Sequence, residues 1–323
     1  MAPHSRWVQE LLTATDPLEA IWKEMLALWR TDALPKDLVA FYDRGEEALS
    51  SLEKLLYHGY FEIYDLLLER AGHQDGGYVR ERLLGDTVVI VADSLSVREA
   101  GLFSPWLRER GWEVREEGFA VAPFPTTTES LSEKLLGTHP AGGRDSVAFA
   151  YRYIPGPEQM PALPGGRPTL VWLRLPDTVL EGITVAQTTT VADVFEKTAQ
   201  TLVRLLETAG NRPVFVTSDH GYLYARSPAH YWLLSGEVGP VVQRAFPRES
   251  RSQPLGQGSV KDLRHYESRT PEGRFFAFSS SHVGLRGRYW WASQSPNDRC
   301  TAHGGLSLVE ALVPILSIYR ARA

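Results

Sequence analysis

Short apolar runs constrain this chain more than any other feature. Thr87-Val88-Val89-Ile90-Val91-Ala92 and Val214-Phe215-Val216-Thr217 are dense in β-branched residues and have no polar alternation. A strand without a polar face must be covered on both sides, as strands of parallel sheets are. Further strand-like segments lie near residues 112–121, 147–153 and 170–175. Helical patterns separate them: from Val97 to about Arg110, after Thr128, and over 190–209. In the last of these, Val194, Thr198, Thr201, Leu202 and Leu205 share one side. Strand and helix alternate, so the expected body is α/β with a doubly wound, mainly parallel sheet.

Three regions stand outside that rhythm. Residues 1–80 read as a helical N-terminal region, with Leu18, Ile21, Trp22, Met25, Leu26 and Trp29 at helical spacing and Asp16-Pro17 as N-cap and first helical residue. The α/β domain then spans 81–323. Within it, residues from about 227 to 299 are rich in Arg, Ser, Pro and Gly and read as an inserted cap segment beside the site. Residues 306–318 supply a short helix and a last strand.

Composition excludes several classes. An apolar content of 43% supports a core, and a net charge of −5 gives no general attraction to nucleic acid. One cysteine, Cys300, excludes an internal disulfide and a Cys-rich zinc site. No run approaches the roughly 20 apolar residues of a membrane span, and the first residues do not read as a signal peptide. The expectation is a soluble cytoplasmic protein without membrane partners.

In open α/β sheets, ligands bind beyond the C-terminal ends of the strands. The first apolar strand ends in Asp93-Ser94, with Arg98 farther on. Phe124-Pro125-Thr126-Thr127-Thr128 leads into a helix at Glu129. Pro176-Asp177, with Glu181 four residues later, follows the strand near 170–175. Val214–Thr217 ends in Ser218-Asp219-His220-Gly221, and Thr301-Ala302-His303-Gly304-Gly305 precedes the final helix. Singly, each has a structural explanation: Asp93 or the threonines as helix caps, Asp177 as a turn residue, His303 as a satisfied histidine. Together they form a carboxylate–imidazole set suited to two divalent ions. Ligands without thiolates fit zinc or manganese, with magnesium as a third choice. Two such ions stabilise attacking and leaving oxygens in phosphoryl transfer. A threonine at a helix N-terminus, as Thr128 is, places a phosphate near unsatisfied N–H groups.

In this order the motifs resemble the alkaline phosphatase superfamily, and within it the PglZ family, over roughly residues 87–318. His303-Gly304-Gly305-Leu306-Ser307-Leu308-Val309-Glu310 followed by Val313-Pro314 is the most PglZ-like stretch. The resemblance implies an alkaline-phosphatase-like fold and a ligand assignment. Asp93, Asp219 and His220 would hold one metal, and Asp177, Glu181 and His303 the other. Thr128 would be the nucleophile between them, with Thr127 the alternative because three threonines leave the register open. Arg98 would approach the phosphate. Glu181 departs from the pattern, since the superfamily often has histidine there; a harder ligand would move metal preference toward manganese or magnesium.

The function so implied is a metal-dependent phosphodiesterase or phosphatase. Its substrate would be a nucleotide, an oligonucleotide or another phosphodiester, within a bacterial anti-phage defence system that supplies protein partners. Arg244, Arg248, Arg251, Lys261, Arg264 and Arg269 would attract a phosphate chain, and Tyr266, Phe275, Tyr289, Trp290 and Trp291 would stack on bases; the plainer reading is a solvated loop and hairpin core. The alternative function is an interaction or scaffold module of a defence assembly with little or no hydrolase activity.

Overall fold

The computed structural model describes residues 3–186, 189–234, 238–246, 250–256, 263, 274–290 and 298–321. Helices come first: α1 (Pro3–Thr13), α2 (Pro17–Trp29), α3 (Leu38–Gly59), α4 (Glu62–His73) and the short α5 (Gly77–Arg80). The Asp16 side chain accepts the Leu18 N–H, so α2 starts at the expected proline. Then β1 (Val88–Ala92), α6 (Val97–Arg108), β2 (Trp112–Val121), α7 (Thr128–Leu136), β3 (Ala150–Ile154), β4 (Thr169–Leu173), α8 (Asp177–Leu180), α9 (Val191–Ala209) and β5 (Val214–Thr217) alternate. Thr190 and Asp193 close a capping box that fixes the start of α9.

Six strands form the central sheet in the order β2-β13-β5-β1-β4-β3, where β13 is the closing strand Leu312–Arg320. β1 is parallel to β4 and β5, and β3 to β4. β13 is antiparallel to both β5 and β2. The sheet is therefore mainly parallel, with one reversed strand. That reversal has a geometric consequence: the start of β13 lies at the same sheet edge as the ends of β1, β2, β4 and β5. The loop carrying His303, and the helical turn α11 (Leu308–Ala311) after it, are thereby delivered to that edge.

Both faces of the sheet are covered, as continuous apolar strands require. Along β1, Val88, Ile90 and Ala92 join one cluster, together with Trp29, Tyr42, Leu67, Phe103 and Phe195 from α2, α3, α4, α6 and α9. Val89 and Val91 point the other way, to Tyr78, Val79 and Leu131 of α5 and α7. Each such buried side chain contributes about 1.5–3 kcal/mol relative to exposure. Helices from the first 80 residues thus share a core with the α/β body.

The segment after β5 contains β6 (Leu223–Tyr224), β7 (Trp232–Leu233), α10 (Val238–Ala245), β8 (Ser252–Pro254), β9 (Phe276–Phe278), β10 (His282–Leu285), β11 (Tyr289–Trp290) and β12 (Thr301–Ala302). β8, β10 and β9 make a three-stranded sheet. Of the residues considered for nucleic-acid contact, Arg248, Lys261, Arg264, Arg269, Tyr266 and Trp291 lie outside the described residues. Arg251 is buried and paired with Glu310 at 2.9 Å, and Phe275 and Tyr289 pack edge to face with each other, as do Tyr289 and Trp232. These side chains build the segment's interior.

A buried ionic network joins the N-terminal helices to this segment. Glu46 of α3 pairs with Arg98 of α6 and with Arg288, and Arg288 also faces Glu53 at 3.9 Å. Glu53 accepts the Tyr64 hydroxyl and the Leu308 N–H. Burial pushes the Glu53 carboxyl from its ordinary 4.5 up to about 7, with Arg288 opposing. Between those values the native state holds a proton that the unfolded chain has released. The associated stabilisation is full below about pH 4.5 and is lost as pH rises through about 7. Chemical denaturation should show wild type losing about 3 kcal/mol relative to Glu53→Gln across that window. Parallel pH profiles for the two proteins would refute the assignment.

Candidate metal centre

The strand tips converge at the edge where the sheet order turns. Asp93 follows β1, Arg174 follows β4, Ser218-Asp219-His220 follow β5, and Thr128 opens α7. Asp93, Asp219 and His220 are fully buried, and one ligand atom from each lies within 4.8 Å of the others. His220 Nδ1 is 2.9 Å from the Gly221 carbonyl oxygen. That acceptor places the proton on Nδ1 and leaves the Nε2 lone pair facing inward. Nε2 lies 3.7 Å from Asp93 Oδ1 and 3.6 Å from Asp219 Oδ2.

Local sequence explains this packing. Gly221 lies where a Cβ would overlap the Val309 carbonyl oxygen, so only glycine lets the His220 turn meet α11. β6 pairs with β12, joining the segment after His220 to the segment before His303. The two imidazoles stack with centroids 4.3 Å apart. Gly304 follows at φ +102, a conformation that favours glycine. Its N–H is held at 3.0 Å by Thr126 Oγ1, which itself donates to the Gly305 carbonyl. Ser94, at φ 68, donates its N–H to Asp219 Oδ1 and its hydroxyl to Asp177 Oδ1.

Thr128 and Thr127 are placed differently. Thr128 Oγ1 is 3.2 and 3.3 Å from the two Asp93 oxygens and 3.4 Å from His220 Nε2. Thr127 is the N-cap of α7, with no side-chain cap hydrogen bond, and its hydroxyl meets Ser130 Oγ at 3.1 Å. Asp93 is not the cap of α6, which is opened by a capping box of Ser96 and Glu99.

Asp177, Glu181 and His303 are less tightly gathered. His303 Nε2 lies 3.9 Å from Asp177 Oδ1. Glu181 is exposed at the end of α8. All three, with Thr127, line a cavity of about 180 Å³ that also touches Tyr222 and Arg299. Among the described residues, the group within metal-ligand spacing is Asp93, Asp219 and His220.

Arg98 is not brought to this cavity. It is fully buried, pairs with Glu46, donates to the Tyr222 carbonyl at 3.0 Å and lies over the Tyr222 ring. The site's arginine is Arg174, which sequence reasoning passed over as part of a strand. β4 ends at Leu173, so Arg174 stands at the tip. Its Nε is 3.0 Å from Asp93 Oδ2 and its Nη2 3.2 Å from Asp177 Oδ2. The first contact is an ion pair without hydrogen-bond alignment. A signal was present in the sequence: an arginine is out of place at the end of Thr169-Leu170-Val171-Trp172-Leu173 unless carboxylates await it.

Electrostatics follow from crowding. Burial first, then the Asp219 and Asp177 carboxylates, push Asp93 well above the ordinary carboxylate range, against Arg174 and Thr128. Burial would raise Asp177 too, but His303, His220, Ser94 and Arg174 together hold it below its ordinary value. Burial and then His220 lower His303.

The donor set fits a divalent cation. Asp219 Oδ2 is buried with no hydrogen-bond partner, an arrangement that costs about 1–3 kcal/mol or more for a charged group. It faces the inward lone pair of His220. A cation bound by Asp93, Asp219 and His220 would satisfy both, and the ligand types suit zinc, manganese or magnesium.

No family model matches this chain, and no curated protein matches it. Among solved structures it is similar to murine ectonucleotide pyrophosphatase/phosphodiesterase 5, with a TM-score of 0.29 and 13% identity over 47% of this chain and 47% of that one. The chain thus matches about half the length of that structure, and a likeness of this size says nothing about what the chain binds or does. Among the described residues, no helix is long and apolar enough to cross a membrane.

Proposed function

We propose that this protein is a metal-dependent phosphoester hydrolase in which Thr128 is the nucleophile. One observation carries the reading: a buried threonine hydroxyl, at the first residue of a helix, faces Asp93 and His220 beside the orphaned oxygen of Asp219. When bound, a divalent cation would supply Lewis acidity and lower the hydroxyl pKa. With His220 Nε2 engaged as a ligand, Asp93 is the group within reach of the hydroxyl proton, its two oxygens 3.2 and 3.3 Å from Thr128 Oγ1. Thr128 Oγ then bonds to phosphorus while one ester oxygen leaves, taking up a proton to become an alcohol. Water releases the phosphoryl group from the threonine in a second displacement, as a phosphate monoester when the substrate is a diester. The first turn of α7 offers N–H groups to phosphate oxygens.

The finer assignments come from the motif order. It supports an alkaline-phosphatase-like body of the PglZ kind, a diester substrate such as a nucleotide or oligonucleotide, and service within an anti-phage assembly. Zinc or manganese is the proposed metal.

Hydrolysis of bis-p-nitrophenyl phosphate tests the core claim. Activity should appear with zinc or manganese, vanish with a chelator and return on adding metal. Absence of hydrolysis with any divalent metal would favour the scaffold alternative.

A further inference from the structure

Asp93 and Asp177 were assigned to different metals, yet one guanidinium spans them. Arg174 reaches Asp93 Oδ2 at 3.0 Å and Asp177 Oδ2 at 3.2 Å, with its side chain 23% exposed. Its position at the end of β4 is fixed by the central sheet, where β4 pairs with β1 over five residues. A guanidinium is a permanent cation whose planar fork suits carboxylates.

We infer that Arg174 takes the place of a second metal ion, so that the centre holds one divalent cation and one built-in organic cation. This rests on the metal-centre reading above. Three buried carboxylates meet here, Asp93, Asp177 and Asp219, with Glu181 exposed at the cavity wall. One divalent ion and Arg174 together carry three positive charges, which balances them. Two divalent ions with Arg174 would carry five, one more than the four carboxylates present even when Glu181 is counted.

Geometry agrees with the charge count. The residues with metal-ligand spacing are Asp93, Asp219 and His220. Asp177 lies outside that group and is already occupied by Arg174 and by the Ser94 hydroxyl at 2.9 Å. Glu181, which would complete a second set with Asp177 and His303, is exposed on the cavity wall. A second ion would have to share Asp177 with a fixed positive charge, whose repulsion at such range is substantial even at an effective dielectric of about 20. The consequence for a substrate is that the positive charge beside the cavity is partly carried by a side chain and persists when metal is removed.

Metal counting tests this without reference to activity. The stripped protein is equilibrated with Mn²⁺ or Zn²⁺, freed of excess by gel filtration, and its ions per chain are measured by mass spectrometry. Wild type should hold one ion, Arg174→Lys one, and Arg174→Ala two. Two ions in wild type overturn the inference and leave the metal-centre reading intact. One ion in a folded Arg174→Ala also overturns it, since Arg174 would not be what keeps the second ion out. No ion in wild type removes the metal-centre reading and this inference with it. Should Arg174→Ala fail to fold, Arg174→Gln, which keeps most of the side chain and removes its charge, decides in its place: two ions support the inference and one overturns it.

Discussion

Thr128→Ala should remove phosphodiester hydrolysis while leaving a folded, metal-binding protein. The expected loss is on the order of 10⁴-fold or more, as for deletion of a covalent nucleophile. The fold should tolerate the change: the lost hydroxyl makes hydrogen bonds of 3.2–3.4 Å to Asp93 and His220, worth about 1 kcal/mol net. Metal should still bind, because Asp93, Asp219 and His220 remain. Thr127→Ala provides the contrast. Its hydroxyl is engaged with Ser130 and not with the carboxylates, so its loss should cost a few-fold at most. Steady-state rates on bis-p-nitrophenyl phosphate, measured beside metal content, separate the two. Equal rates for wild type and Thr128→Ala would eliminate the nucleophile assignment, and a large loss in Thr127→Ala instead would move it by one residue.

The parts of this molecule that rest on local pattern were legible in its sequence. β1 and β5 are continuous apolar runs, and both are buried between two helical layers as such runs require. The polar residues after them converge because parallel strands end at one edge. What was not legible depends on contacts distant in sequence. Nothing near Arg98 indicates that Glu46, 52 residues earlier, will bury its guanidinium; an arginine shortly after a strand-tip aspartate reads equally well as a phosphate ligand. Arg174 was hidden by a boundary, since a strand extended to Leu175 makes it one more sheet residue. The left-handed backbone at Ser94, which lets one serine touch both Asp219 and Asp177, has no glycine to announce it. Three consecutive threonines left the register open until the helix start fixed which hydroxyl turns inward.

Glu46→Ala should be the most destabilising single truncation in the buried network. Glu46 is fully buried, and its two oxygens neutralise Arg98 and Arg288, which are fully buried as well. Its removal leaves two guanidinium groups with less compensating charge in a low-dielectric interior. Arg98 Nη2 and Arg288 Nη1 already lack hydrogen-bond partners, so neither has slack to absorb the loss. Breaking a buried pair from one side costs about 3–5 kcal/mol, a large share of the roughly 5–15 kcal/mol that holds a native protein folded. Urea denaturation should show a lower midpoint with an unchanged slope. Glu46→Gln, which keeps acceptor capacity but not charge, should fall between. A loss under about 1 kcal/mol would mean the pair is solvated in solution. The network also leads to the site, because Arg98 Nη1 holds the carbonyl of Tyr222, two residues beyond His220. Folded Glu46→Ala should therefore bind metal more weakly than wild type, although Glu46 belongs to α3 and contributes no ligand.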